Sequence, residues 1–305
     1  MNKLIFFGTS DFAIPILDKL ISSNNKIICV WTQPPSKSQR GKKILKSPIQ
    51  IYAEKKNLTT RTPLKLDDDF EFISKLDFDI AIVVAYGQIL SEKLLNLGPN
   101  KFINIHASLL PKYRGAAPIQ RSLINLDKYT GVSFMKISKD LDSGDVCNQY
   151  QIKIDDCDNY NTLSEKLSML ASNKLMKNLN LIICNKAKFK KQNHTLATYA
   201  NKINKLEGKV NWKDDAKKIA GKVKGLFPYP GAWFIFNEVR HKILVSEISS
   251  LKGKPGYVLD DKFTVGCGNN SLKIIKLQRE GKKAQIAKEF LLGSEIRKGS
   301  LLQSE

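Results

Sequence analysis

A chain of 305 residues, 42% hydrophobic and 9% aromatic, carries enough apolar side chain for about two cores, which excludes a disordered polyelectrolyte. Lys and Arg number 50 against 29 Asp and Glu, a net charge of +21, and such a field gathers polyanions. No apolar run nears the roughly 18–20 residues of a membrane span. The five cysteines, Cys29, Cys147, Cys157, Cys184 and Cys267, are dispersed without a CxxC pair, as reduced thiols of a cytoplasmic protein would be.

Met1 to Gly8 is too short before its glycine for a signal peptide, and Leu4 to Phe7 reads as a buried first strand. Gly8-Thr-Ser-Asp11 then turns the chain, with Ser10 or Asp11 placed to cap a helix over Phe12 to Ile21. Ile27 to Trp31 is a second strand and completes a βαβ unit, but a lone Gly8 is no GxGxxG fingerprint. Pro34 to Gln50 follows with five basic residues (Lys37, Arg40, Lys42, Lys43, Lys46) and no acid, either a phosphate-gripping arm or a solvated loop. Asp79 to Ala85 is a continuous apolar run, the pattern of a parallel strand buried on both faces, and it ends in Tyr86-Gly87-Gln88. Phe102 to Ile105 repeats that pattern and ends in His106. Strand tips of this kind converge on one crevice in an open α/β sheet.

Residues 131–137 and 146–154 alternate as strands do, with Asp142 in the break between them. Asn161 to Ile183 has helical apolar spacing, and Asn185 to Gln192 is a basic connector. A short helix near Asp214 to Val223 precedes five strand-like runs: Ala232–Phe236, Lys242–Ser249, Gly256–Leu259, Phe263–Gly266 and Leu272–Leu277. Short strands at regular spacing between Gly, Asp and Asn turns predict a small β-barrel. The expected fold is therefore α/β: a Rossmann-like, mostly parallel sheet domain over residues 1–184, a basic linker over 185–204, and an OB-like β-barrel over 205–305. Residues 201–305 hold 21 basic and 11 acidic side chains, so net positive charge per residue is nearly twice as dense there as before.

The amide of Asn104, the imidazole of His106 and the carboxylate of Asp142 each stand beside a turn. That is the equipment for moving protons at a carbonyl. Each also has a plain structural reading: a turn residue, a core histidine bonded to a backbone carbonyl, and a cap. His194 and His241 lack comparable partners and read as surface residues. Three separated histidines and unpaired cysteines make no metal set.

Taken together, Asn104-x-His106, Ser108-Leu-Leu-Pro111 and Leu141-Asp-Ser-Gly-Asp145 resemble the folate-dependent formyltransferase family. Its branch acting on methionyl-tRNA is matched in order by Phe7-Gly-Thr-Ser-Asp-Phe-Ala-Ile-Pro15, Thr32-Gln-Pro34, Arg40-Gly-Lys-Lys43, Val84-Ala-Tyr-Gly87 and Arg114-Gly-Ala-Ala-Pro-Ile-Gln120. Ala197-Thr-Tyr-Ala200, Glu207-Gly208 before Trp212, Gly225-Leu-Phe-Pro-Tyr-Pro-Gly-Ala-Trp233, Gly281-Lys-Lys283 and Phe290-Leu291 with Gly299 continue the resemblance to the tail. Departures are modest. Pro35 stands where an acid is usual, the basic loop has Arg40 as its one arginine, Lys101-Phe102 replaces small residues, and Lys139-Asp140 replaces a shorter segment.

The resemblance implies transfer of a formyl group from the cosubstrate 10-formyltetrahydrofolate to the α-amine of methionyl initiator tRNA, without a metal. It implies Asn104, His106 and Asp142 as catalytic residues and Ser108, Leu109, Leu110 and Pro111 as the folate loop. Arg40, Lys42 and Lys43 become the tRNA contacts. A cytoplasmic monomer is expected, with no membrane partner. Two other classes compete: a formyltransferase for a small amine, which needs no dense basic surface, and an RNA-binding protein without catalysis, which needs no Asn104, His106 and Asp142.

Overall fold

Apolar runs broken by Gly, Asp and Ser become strands and helices in alternation through the first half of the chain. The computed structural model describes residues 1–37, 44–98 and 101–302. In chain order come β1 (Lys3–Gly8), α1 (Ile14–Ile21), β2 (Lys26–Trp31), the two-residue strands β3 (Ser36–Lys37) and β4 (Ile44–Leu45), α2 (Pro48–Lys55) and β5 (Thr60–Arg61). They are followed by α3 (Phe70–Ser74), β6 (Ile80–Val84), α4 (Glu92–Leu95), β7 (Phe102–His106), α5 (Pro118–Ile124), β8 (Tyr129–Lys136), β9 (Val146–Lys153) and the long α6 (Tyr160–Ile183). A seven-stranded sheet has the order β5-β2-β1-β6-β7-β8-β9. Pairing is parallel from β5 through β7, and β8 runs antiparallel to β7. The order reverses between β1 and β6, so the crevice beyond their C-terminal ends is where a ligand is favoured. All five residues of β6 are buried, as its unbroken apolar run requires.

The side chains of one sheet face explain why this order holds. Phe7 stacks on Trp31 at 5.0 Å and meets Tyr86 edge-on at 5.4 Å. Burial of side chains this large contributes about 1.5–3 kcal/mol each. Trp31 Nε1 donates to Asp69 Oδ2 at 2.8 Å, and Arg61 binds both oxygens of the same carboxylate. The hydrogen bonds from Arg61 hold the Asp69 carboxyl below its ordinary range, against the opposing effect of burial.

Neither Ser10 nor Asp11 caps α1 through its side chain. A 3-10 turn over Asp11–Ala13 comes first, and the helix starts at Ile14 with Pro15 in its first turn, where the missing N–H costs nothing. On the other side of the sheet α6 is tied to the start of α1. Ser168 Oγ donates to Phe12 O at 2.6 Å and Ser172 Oγ to Pro15 O at 2.9 Å.

The chain divides into two compact units. One comprises Met1–Ala116, Thr130–Ile152 and Ser164–Ala200; the other comprises Ala117–Tyr129, Lys153–Leu163 and Asn201–Glu305. In the second unit α7 (Ala216–Gly225) is capped by Asp215, whose side chain accepts from Lys217 N. It precedes the strands β10 (Ala232–Phe236), β11 (Val239–Ser249), β12 (Thr264–Gly266), β13 (Ser271–Arg279) and β14 (Ala284–Ile286), and then α8 (Ala287–Leu292). At the place of the expected OB-like β-barrel, these strands form a five-stranded antiparallel sheet, in the order β10-β11-β13-β12 with β14 on β13. Residues 256–259, expected as a strand, make only isolated bridges, Tyr257 with Leu301 and Val258 with Val265.

Two glycines one turn apart explain why α5 belongs to this unit. A Cβ at Gly221 would lie 2.9 Å from Ile124 O, and one at Gly225 would lie 2.7 Å from Gln120 O. The backbone of α7 therefore lies directly against α5, at a distance only glycine permits. His241, read from sequence as a surface residue, is 4% exposed. Its ring stacks on Phe234 at 5.2 Å, and its Nδ1–H donates to Val239 O at 2.9 Å. Burial lowers its pKa, so the neutral ring behaves as an aromatic core side chain. Among the described residues no helix is long and apolar enough to cross a membrane.

Candidate functional site

Strand pleating places Asn104 and His106 on the same face of β7, because residues two apart share a face. The loop that carries Asp142 leaves β8 opposite the start of β7, where Ile137 N donates to Phe102 O. It then turns back along that face. Asp142 itself adopts a left-handed backbone, φ +47°. Aspartate is one of the few residues other than glycine that takes this conformation readily.

The three side chains meet. Asn104 Nδ2 donates to Asp142 Oδ1 at 3.3 Å, and its other contact is the Met135 sulfur at 4.0 Å. Asp142 Oδ2 accepts from Gly115 N at 2.8 Å and lies 3.5 Å from His106 Nδ1. The His106 ring is 6% exposed, and its Nε2 lies 2.8 Å from Tyr113 O. A carbonyl oxygen only accepts, so Nε2 carries a hydrogen and donates. One ring nitrogen of His106 is thus anchored to a backbone carbonyl, and Nδ1 is left facing the Asp142 carboxylate.

Tyr113, whose carbonyl fixes the ring, also has a left-handed backbone, φ +60°. It is held there from outside its own turn, since Tyr113 N donates to Thr198 Oγ1 at 2.9 Å and Arg114 N to Thr198 O at 2.8 Å. Residues 190–200 therefore brace the site. Gln192 and Arg114 complete the brace. Gln192 reads in the sequence only as the end of a basic connector, and nothing in the Lys190-Lys191-Gln192-Asn193 run sets it apart.

The 108–111 loop is closed on itself. Ser108 is fully buried and its Oγ donates to Lys112 O at 2.5 Å. Ser133 Oγ donates to Ser108 O at 2.6 Å and accepts from Leu110 N at 3.1 Å, while Gln149 Nε2 donates to Leu110 O at 2.7 Å. The peptide between Leu110 and Pro111 is cis. The Ser108 hydroxyl is spent within the loop; Leu110 is buried, and Leu109 and Pro111 are partly exposed. At the switch point Thr9 Oγ1 donates to Tyr86 O at 2.6 Å, tying the tips of β1 and β6, and Gly87 follows at φ +83°. This rim is backbone and apolar side chain, which suits a flat, edge-polar ring system.

Arg40, Lys42 and Lys43, the expected tRNA contacts, lie outside the described residues. Among the described residues, no three His, Cys, Asp or Glu side chains group closely enough to hold a metal ion. What the site can do is donate from an amide to a developing oxyanion and move one proton between an imidazole nitrogen and a carboxylate.

Comparison with known proteins shows the family. The family model described as "Formyl transferase" matches residues 1–179, and that described as "Formyl transferase, C-terminal domain" matches residues 202–295. A protein of Pelagibacter ubique (strain HTCC1062) named methionyl-tRNA formyltransferase is 54% identical over 303 residues, covering 98% of each chain. One of the same name from Caulobacter vibrioides (strain NA1000 / CB15N) is 38% identical over 306 residues, covering 98% of this chain and 99% of its own. Among solved structures, an N-formyltransferase from Helicobacter canadensis in complex with folinic acid and dTDP-3-aminofucose superposes with a TM-score of 0.70. It is 22% identical and covers 90% of this chain and 99% of its own, a likeness of fold.

Proposed function

Because this chain belongs to the formyl transferase family, we propose that the hydrogen-bonded set of Asn104, His106 and Asp142 transfers a formyl group to the α-amino group of methionyl-tRNA. The observation that carries the acceptor's identity is the full-length similarity to proteins named methionyl-tRNA formyltransferase, extending through the basic C-terminal unit. The product is N-formylmethionyl-tRNA, the initiator form, and the donor is 10-formyltetrahydrofolate. Use of charged tRNA and a folate donor fits a reaction in the cytoplasm, the compartment we assign to it. One copy of the chain carries every residue invoked, so a monomer suffices.

The donor, when bound against the 108–111 loop and the Gly87 turn, supplies the electrophilic formyl carbon. Asn104 spends one amide hydrogen on Asp142, and its second faces nothing stronger than the Met135 sulfur. That second hydrogen meets the oxygen that becomes negative when the amine attacks, a contact worth about 3–4 kcal/mol in comparable oxyanion sites. His106, anchored through Nε2, takes up a proton from the attacking amine at Nδ1. Asp142 stabilises the resulting imidazolium. The same proton leaves with the departing folate nitrogen as the new C–N bond forms and the old one breaks.

The test is direct. Purified protein, charged initiator tRNA and active donor yield formylmethionyl-tRNA, while an amino sugar or a nucleotide amine in place of the tRNA yields no product. No formylated tRNA with an active donor removes this reading.

Arg40, Lys42 and Lys43 are the contacts we assign to the acceptor end of the tRNA, on the strength of an acid-free basic loop. Changing Lys42 and Lys43 together to Ala is expected to raise KM for charged tRNA about tenfold and to flatten the salt dependence of kcat/KM. Folate binding, followed by ligand fluorescence, stays unchanged. Loss of folate binding instead reassigns the loop.

A further inference from the structure

Gln192 lies outside every stretch that suggested chemistry, yet it is 7% exposed and its side-chain amide is fully bonded. Nε2 donates to Asp142 O and to Gly144 O, both at 2.8 Å. Oε1 accepts from Arg114 Nε at 3.0 Å and from Arg114 Nη2 at 2.8 Å. Two donations and two acceptances are all that a carboxamide has to give. Its orientation is also settled by chemistry alone. Carbonyls only accept and a guanidinium only donates, so turning the amide over would set like groups against each other at four points.

Arg114 is in turn fixed. It is 3% exposed, its backbone is bridged by Arg114 N to Thr198 O at 2.8 Å and Ala200 N to Arg114 O at 2.7 Å, and its Nη1 reaches His194 Nδ1 at 3.3 Å. The next residue, Gly115, gives its N–H to the Asp142 carboxylate. The arginine thus reaches Asp142 by two routes, through the Gly115 peptide to its side chain and through Gln192 to its backbone. The backbone at Asp142 is left-handed, a conformation that persists where surrounding groups hold it. The gap from its carboxylate to His106 Nδ1 is 3.5 Å, so a small rotation of the turn decides whether that contact is made in the reacting complex.

We propose that Gln192, oriented by Arg114, is a positioning residue that sets the Asp142 carboxylate against His106 and Asn104 during formyl transfer. It touches no reacting atom. Its work is to hold the carbonyls of residues 142 and 144 on one amide, so that the carboxylate between them points at the imidazole. This rests on the formyl-transfer reading above.

Two variants test it beside the wild-type protein. Gln192→Glu keeps both acceptors for Arg114 and loses both donors to the turn; Gln192→Met keeps the length and loses every hydrogen bond. Formylation of charged initiator tRNA is followed for kcat, for KM of each substrate and across pH, with a thermal melt of each protein. Gln192→Glu is expected to fold with a lowered melting temperature, since a carboxylate oxygen replaces the donor to two carbonyls, and to keep both KM values within about threefold. Its kcat falls about tenfold or more, the scale of a misplaced catalytic group. Its pH–rate profile changes shape, because the carboxylate no longer lies against the imidazole nitrogen that takes up the proton. Gln192→Met follows the same pattern if it folds, and Gln192→Glu decides alone if it does not. Wild-type kcat with an unmoved pH profile in either folded variant overturns the proposal, as does a loss confined to KM or matched by loss of folded protein. If the wild type itself formylates no tRNA, it is the formyl-transfer reading that falls.

Discussion

Replacing His106 by Ala is expected to lower turnover by about 10²–10⁴-fold, the usual contribution of a placed acid–base group. Binding of charged tRNA should survive, because the ring is 6% exposed and faces Tyr113 and Asp142 rather than the surface. The physical reason for so large an effect is that the site has one exchangeable position on this ring. Nε2 is committed to the Tyr113 carbonyl, which leaves Nδ1 as the ring nitrogen that faces the Asp142 carboxylate. Single-turnover formylation together with filter binding of tRNA separates the two outcomes. Near-normal turnover in the folded variant removes His106 from the mechanism.

Asp142→Asn is the second large expectation, and it isolates charge from shape. Asparagine takes the left-handed backbone as well as aspartate does, so φ +47° at this position is no obstacle and the variant should fold. Both carboxylate oxygens, however, face donors: Oδ1 the amide of Asn104 and Oδ2 the N–H of Gly115. Whichever way the asparagine amide is turned, its NH₂ meets a donor, and the imidazolium loses its counter-charge. A fall in kcat of about 10³–10⁴ is expected, similar to the loss when an aspartate orienting a catalytic histidine becomes its amide. The melting temperature should shift by only a few degrees. A variant with kcat within threefold of wild type removes the carboxylate's charge from the reaction.

The parts of this arrangement that were legible beforehand are those written into local pattern. The unbroken apolar runs of β1, β6 and β7 announce a parallel sheet, and the polar residues that end them mark its tips. Asn104 and His106 could be paired from strand periodicity alone. Asp142 was reachable only through its flanking turn motif, because the loop that delivers it folds back along β7 over a path that spacing does not encode. Gln192 was illegible, since its meaning lies in two carbonyls about fifty residues earlier and a guanidinium further back still. His241 misled for a related reason. A lone histidine between Arg240 and Lys242 resembles a wetted surface, whereas its environment is set by Phe234 and Phe290, brought in from other elements. Likewise Gly221 and Gly225 look like weak points in a helix until α5 is seen lying against them.

That last contact also bears on the order in which the protein can be made. During synthesis α5 leaves the ribosome before β8, β9 and the whole of α6, while the helix it packs on is translated afterwards. Until α7 emerges, the backbone carbonyls of Gln120, Leu123 and Ile124 in α5 lack the glycine surface they lie against. A chain stalled or cut within residues 185–204 would therefore lack that contact, which ties the packing of α5 to the synthesis of the later part of the chain.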